Sequence, residues 1–124
     1  MRAQTGRFRD LVAWQLAYKL ALSLYQATKT FPSDEKFGLT QQMRRAAVSI
    51  SSNIAEGWGR GTTQDYLRFV GIARGSLHEL QTQSWLSAYF NYLATNHEIF
   101  SQMSKLERVI NGLHQSLEDK LSRG

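Results

Sequence analysis

The sequence predicts an all-α protein, an up-down-up-down four-helix bundle. Three observations lead there. Four segments carry apolar residues at spacings of three and four, which places them on one face of a helix. The single Pro and the densest Gly cluster fall between those segments. No stretch of useful length alternates apolar and polar residues as a half-buried strand would. At 124 residues the chain sits in the single-domain range, and residues 1–124 read as one domain.

The first helix is expected over 10–29, with Asp10 as N-cap. Trp14, Ala17, Tyr18, Ala21, Leu24, Tyr25 and Thr28 form its inward stripe, while Ala13, Leu16, Leu20 and Ala27 lie outside it. Only Gln15, Lys19, Ser23 and Gln26 make a clearly polar strip, so this helix buries more than one side. The break at Phe31-Pro32-Ser33-Asp34 leads to a second helix over 36–56. Its inner stripe is Leu39, Met43, Ala46, Ala47, Ile50 and Ile54, with Arg45, Ser49, Ser52 and Glu56 roughly opposite. Gly57 is expected at the C′ position, where a left-handed conformation costs Gly little.

The third helix is expected over 63–91. Thr62 followed by Asp65 resembles a capping box, with Thr63 the other candidate cap. Tyr66, Phe69, Val70, Ala73, Leu77 and Leu80 face inward. Ile72, Leu86 and Phe90 form a second apolar strip, and Gly71 and Gly75 suggest a close helix–helix contact, since each costs up to about 1 kcal/mol relative to Ala. The fourth helix, over 96–121, has the cleanest stripe: Ile99, Met103, Leu106, Ile110, Leu113, Leu117 and Leu121. Its spacing approaches a coiled-coil seam. The extra apolar strips on the first and third helices imply a homo-oligomer, because a large exposed apolar patch is unusual on a monomer.

The 15 Lys+Arg against 10 Asp+Glu give a net charge of +5, and the excess lies in the first three-fifths of the chain, most of it as Arg. Such a balance favours polyanions without defining a site. No Cys is present, which excludes disulfides, thiolate nucleophiles and Cys-based metal sites. The start of the chain does not resemble a secretory signal, and no apolar run of about 18 residues is present, so a soluble cytoplasmic protein is expected.

No catalytic constellation emerges. His78-Glu79 begins a zinc-protease pattern, but Thr82 stands where the second His belongs. His97-Glu98 sits at a helix start, and His114 with Glu118 reads as a surface pair. The segments beginning at Glu79 and Glu107 lack the His of di-iron Glu-x-x-His pairs, and no serine lies in a nucleophile elbow. Gly57-Trp58-Gly59-Arg60-Gly61 lacks the Lys-Ser/Thr ending of a phosphate loop and reads first as a turn, with Arg60 able to meet an anion. Neither a metal nor a cofactor is expected, and the protein is not expected to be an enzyme. What remains are the basic residues Arg44, Arg45, Arg60, Arg68 and Arg74. They either pair with Glu56, Asp65 or Glu79 across neighbouring helices, or face solvent and meet phosphate backbones with little sequence choice.

The run Phe37-Gly38-Leu39-Thr40-Gln41-Gln42-Met43-Arg44-Arg45-Ala46-Ala47-Val48-Ser49-Ile50, followed by Ser52-Asn53-Ile54-Ala55-Glu56-Gly57, resembles the signature of the four-helix bundle protein family, also called 23S ribosomal RNA intervening-sequence proteins. Trp14-Gln15-Leu16-Ala17, Phe31-Pro32 and Ile72-Ala73-Arg74-Gly75-Ser76-Leu77-His78-Glu79-Leu80 agree with it, and the likeness spans about residues 8–93. It departs at Ser51, where many relatives have Pro; local geometry should change without touching the fold. The resemblance implies bacterial bundles that assemble as rings, notably pentamers, with no catalytic residues to carry over. It extends to the accessory variability determinants of diversity-generating retroelements, basic pentamers that bind nucleic acid and a reverse transcriptase. The expected function is therefore a homo-oligomeric, pentameric module that binds RNA or DNA through Arg44, Arg45, Arg60, Arg68 and Arg74, with a reverse transcriptase as a further partner class. Neither a membrane nor a small-molecule substrate is expected as a partner. The alternative is an oligomeric protein-interaction scaffold whose Arg residues are consumed in ion pairs.

Overall fold

The structure, a computed structural model, describes residues 6–123. Four helices carry the fold: α1 (Val12–Thr28), α2 (Leu39–Gly59), α3 (Thr63–Tyr89) and α4 (Glu98–Arg123). Single 3-10 turns, Phe8–Asp10 and Ser33–Glu35, precede α1 and α2. No strand occurs among the described residues. Each helix packs on its chain neighbour, α1 closes the cycle against α4, and the diagonal pairs lie across the core. Pairings between neighbours run antiparallel: Arg44 meets Tyr25 and Thr28, Met43 meets Ser87, Ser84 meets Met103, and Gln102 meets Ser23.

The core is built from Leu20, Leu24, Met43, Ile50, Ile54, Val70, Leu77, Leu80, Ile99, Met103, Leu106 and Ile110, all fully buried or nearly so. Burying these faces, rather than helix propensity, holds the helices in place. The buried serines of α3 do not disturb it. Ser84 and Ser87 donate to the carbonyls of Leu80 and Gln83 at 2.7 and 2.8 Å, so no hydroxyl is stranded.

The inward face of α1 differs from the expected stripe. Ala13, Ala17, Leu20, Leu24 and Thr28 are buried, whereas Tyr18 and Tyr25 are 47% and 41% exposed. A helix apolar on most sides has no strong period to set its rotation, and the tyrosines keep their hydroxyls near water. Leu20 thus belongs to the core, and the apolar residues left outside on α1 are Val12, Tyr18, Leu22 and Tyr25. Nor does Asp10 cap α1. Leu11 holds the N-cap position without a side-chain bond, and the Asp10 carboxylate accepts the Arg7 N–H at 3.2 Å within the preceding turn.

The close of α2 also falls later than expected. Gly57 is inside the helix and buried, and the left-handed residue is Gly61 (φ 86°), directly after the C-cap Arg60. Gly57 instead lets α3 approach: a Cβ there would lie 2.6 Å from Phe69 Cβ and 3.2 Å from Tyr66 Cδ1. Position 51 lies within unbroken α2, where the Ser51 hydroxyl donates to the Val48 carbonyl at 3.3 Å. Thr62 caps α3 by accepting the Asp65 N–H at 3.1 Å. Of the two helix glycines in α3, a Cβ at Gly71 would sit 3.7 Å from His114 Nε2, while one at Gly75 would meet nothing within 4 Å. Leu121, placed in the α4 stripe by its spacing, is exposed.

No helix among the described residues is long and apolar enough to cross a membrane.

Candidate nucleic-acid interface

The five arginines singled out by sequence lie in three places. Arg44 and Arg45 are neighbours on α2, so about 100° of helix rotation separates them and they meet different surroundings. Arg44 turns to the end of α1. Its Nε donates to Thr28 Oγ1 at 2.9 Å, its Nη2 donates to the Tyr25 carbonyl at 3.2 Å, and its Cζ stands 4.6 Å from the Tyr25 ring centroid. A cation on the last carbonyls of a helix also meets the negative end of its dipole. Of the two alternatives the sequence leaves for Arg44, the ion pair with Glu56, Asp65 or Glu79 is not formed among the described residues; the guanidinium is engaged by neutral groups.

Arg45 is exposed and has neither a hydrogen bond nor an ion pair among the described residues. It lines two grooves. One, of about 640 Å³, lies between α1 and α2 and includes Tyr25, Lys36, Phe37, Arg44 and Val48. The other, of about 480 Å³, lies between α2 and α3 and includes Gln42, Ser49, Ser76, Glu79 and Gln83.

Arg60 and Arg68 meet at the α2–α3 corner. Both stand over the Phe69 ring, with Cζ at 5.0 and 4.6 Å from its centroid. Arg60 also pairs with Glu56, Nη2 to Oε2 at 2.9 Å. Both partners of that pair are about half exposed, so it adds little stability. Arg74 stands apart. It is half-buried on the α4 side of α3, one turn from Gly71 and His78, which both face α4. The structure therefore brings together Arg44 with Arg45 and Arg60 with Arg68, and leaves Arg74 alone.

One ion pair between Lys or Arg and a carboxylate, Arg60–Glu56, occurs within 4 Å among the described residues. Among the described residues, most of the positive charge is thus left unneutralised by close contact.

Residues outside the sequence-derived set also shape this surface. Lys36 and Phe37 precede α2, and Phe37 is 79% exposed, with Lys36 Nζ 5.5 Å from its ring centroid. The available signal was an adjacent cation and aromatic in a connection between helices. Glu35, beside them, is turned to other partners: its Oε1 accepts the Leu39 N–H at 3.2 Å and its Oε2 accepts the Tyr92 hydroxyl at 3.1 Å. The Tyr92 phenol is held above its ordinary range, first by burial and then by that bond and the charges of Glu35 and Asp34.

The histidines have local roles. His97 Nδ1 accepts the Ile99 N–H at 3.1 Å at the start of α4. His78 Nε2 lies 3.4 Å from Glu107, and His114 Nδ1 lies 3.2 Å from Glu118. Among the described residues no group of three His, Cys, Asp or Glu side chains could hold a metal ion.

The family model described as 23S rRNA-intervening sequence protein matches residues 9–114. No curated protein matches the chain.

Proposed function

The chain belongs to the 23S rRNA-intervening sequence protein family, and on that premise we propose that it is a non-catalytic, cytoplasmic binding module: a ring of copies, five in number, that holds nucleic acid, RNA foremost, on its basic outer surface. The observation that carries this reading is the charge left over. Arg45, Arg68 and Arg74 have no carboxylate within 4 Å among the described residues, although acids stand on the same helices. Repeated around a ring, such guanidinium groups attract phosphate backbones with little sequence choice. Arg45 and Arg68 are the exposed contacts, Arg60 shares its charge with Glu56, and Arg44 supports Arg45 by holding α1 against α2. A reverse transcriptase is a further partner class that the same basic surface leaves open.

The ring is supported by the outer strip of α3. Ile72, Leu86 and Phe90 are 43–50% exposed on one side of that helix, and Gly75 lies beside them in open space. This strip also favours a second reading, a protein-interaction scaffold with no nucleic-acid role.

Filter binding of a structured RNA separates the two. The nucleic-acid reading expects retention at about 50 mM salt that falls at least tenfold by about 200 mM. Arg45→Ala and Arg68→Ala should weaken it without changing the assembly. No retention at low salt, with an intact assembly, supports the scaffold instead.

A further inference from the structure

We propose that the groove between α1 and α2 seats unpaired nucleotides of a single-stranded nucleic acid, with a base stacked on Phe37 and its phosphates met by Lys36 and Arg45. This rests on the nucleic-acid reading above and specifies the form of ligand the surface takes.

Four observations converge on the groove. Phe37 presents a phenyl ring 79% exposed at its edge, where it adds almost nothing to the core. Aromatic faces of this kind stack bases with little regard to sequence. Arg44 supplies a second flat surface. Its guanidinium is fixed by Thr28 and the Tyr25 carbonyl and backed by the Tyr25 ring, so it loses little freedom when a ligand arrives. The lining carries three cations, Lys36, Arg44 and Arg45, and no carboxylate. The neighbouring Glu35 is bound to Leu39 and Tyr92. Finally, about 640 Å³ is room for a nucleotide or two, and the groove is an open trough.

A duplex fits this arrangement poorly. Its bases are stacked on one another and offer no free face to Phe37, whereas an unpaired strand can splay a base onto the ring and run its phosphates past the cations. An acidic, apolar peptide would satisfy the charge but leave the two flat faces without a matching flat partner.

The test is fluorescence anisotropy at about 50 mM salt with labelled oligouridylate and oligodeoxythymidylate of about 12 nucleotides, and with a duplex of equal length. The proposal expects either single strand to bind more tightly than the duplex; the two single strands together tell whether the groove takes RNA, DNA or both. Phe37→Ala should weaken single-strand binding about tenfold. Phe37→Trp, which keeps a stacking face, should retain it, and Tyr89→Ala, which removes an exposed aromatic outside the groove, should leave it unchanged.

Equal binding of duplex and single strand, or an unaltered Phe37→Ala, overturns the proposal while salt-sensitive retention of structured RNA leaves the broader reading standing. Loss of assembly in Phe37→Ala by sedimentation overturns it too, since the groove would then be an interface between copies. If no probe binds, structured RNA included, both readings fall together.

Discussion

Arg44 and Arg45 are adjacent and chemically identical, yet they have different surroundings. Arg44 closes the end of α1 with two hydrogen bonds and a ring contact, while Arg45 makes no hydrogen bond or ion pair among the described residues. Arg44→Ala should therefore destabilise the fold by about 1–2 kcal/mol in urea unfolding, because charged donors leave the Tyr25 and Thr28 acceptors behind. Arg45→Ala should change stability by less than about 0.5 kcal/mol and show its effect in RNA retention. The reverse pattern would mean the two roles are misassigned. Tyr92 offers a second test. Its folded phenol is shifted upward, so the folded state holds that proton more tightly than the unfolded chain. That contribution is complete below about pH 10 and is lost as pH rises through the raised value. Urea midpoints on either side of that pH should fall more for the native chain than for Tyr92→Phe; parallel losses would contradict the assignment. None of this was legible in the sequence, where Arg44 and Arg45 form one basic dipeptide and Glu35 and Tyr92 lie far apart.

Among the helices, legibility followed the sharpness of the apolar pattern. α2 and α4 have narrow stripes, and Met43, Ile50, Ile54, Ile99, Met103, Leu106 and Ile110 are buried as their spacing predicts. On α1 nearly every side is apolar, and the rotation that buries Leu20 and exposes Tyr18 is chosen by packing against α2 and α4. The close approach expected at Gly71 and Gly75 falls instead at Gly57, which the sequence placed at a helix end. At Gly57 the neighbour is Phe69 of the same chain, so Gly57→Ala should cost about 1–3 kcal/mol through overpacking. Gly75 has open space around it. Gly75→Ala should stabilise the isolated fold by up to about 1 kcal/mol through helix propensity alone. If another copy packs on this side of α3, the same methyl should weaken the assembly, so thermal melts and sedimentation would move in opposite directions. A change that strengthens both would place Gly75 outside any interface.

For the whole molecule, charge and exposed apolar surface pull the same way. A basic outer surface suits a polyanion, and the uncovered strip of Ile72, Leu86 and Phe90 suits another copy of the chain. The basic excess was legible from composition, and so was the α3 strip from its spacing. The division of the arginines into a groove, a corner and an isolated position was not, because it depends on how α2 and α3 lie against each other. It also means that one chain does not gather all five into one face; several copies would be needed to present a broad basic surface. Sedimentation velocity of the protein alone at micromolar concentration reads the number of copies. A ring of five should sediment as one species near five times the 14.2 kDa mass of the single chain, persisting on moderate dilution. A folded species at the single-chain mass, with the α3 strip open to water, would contradict it.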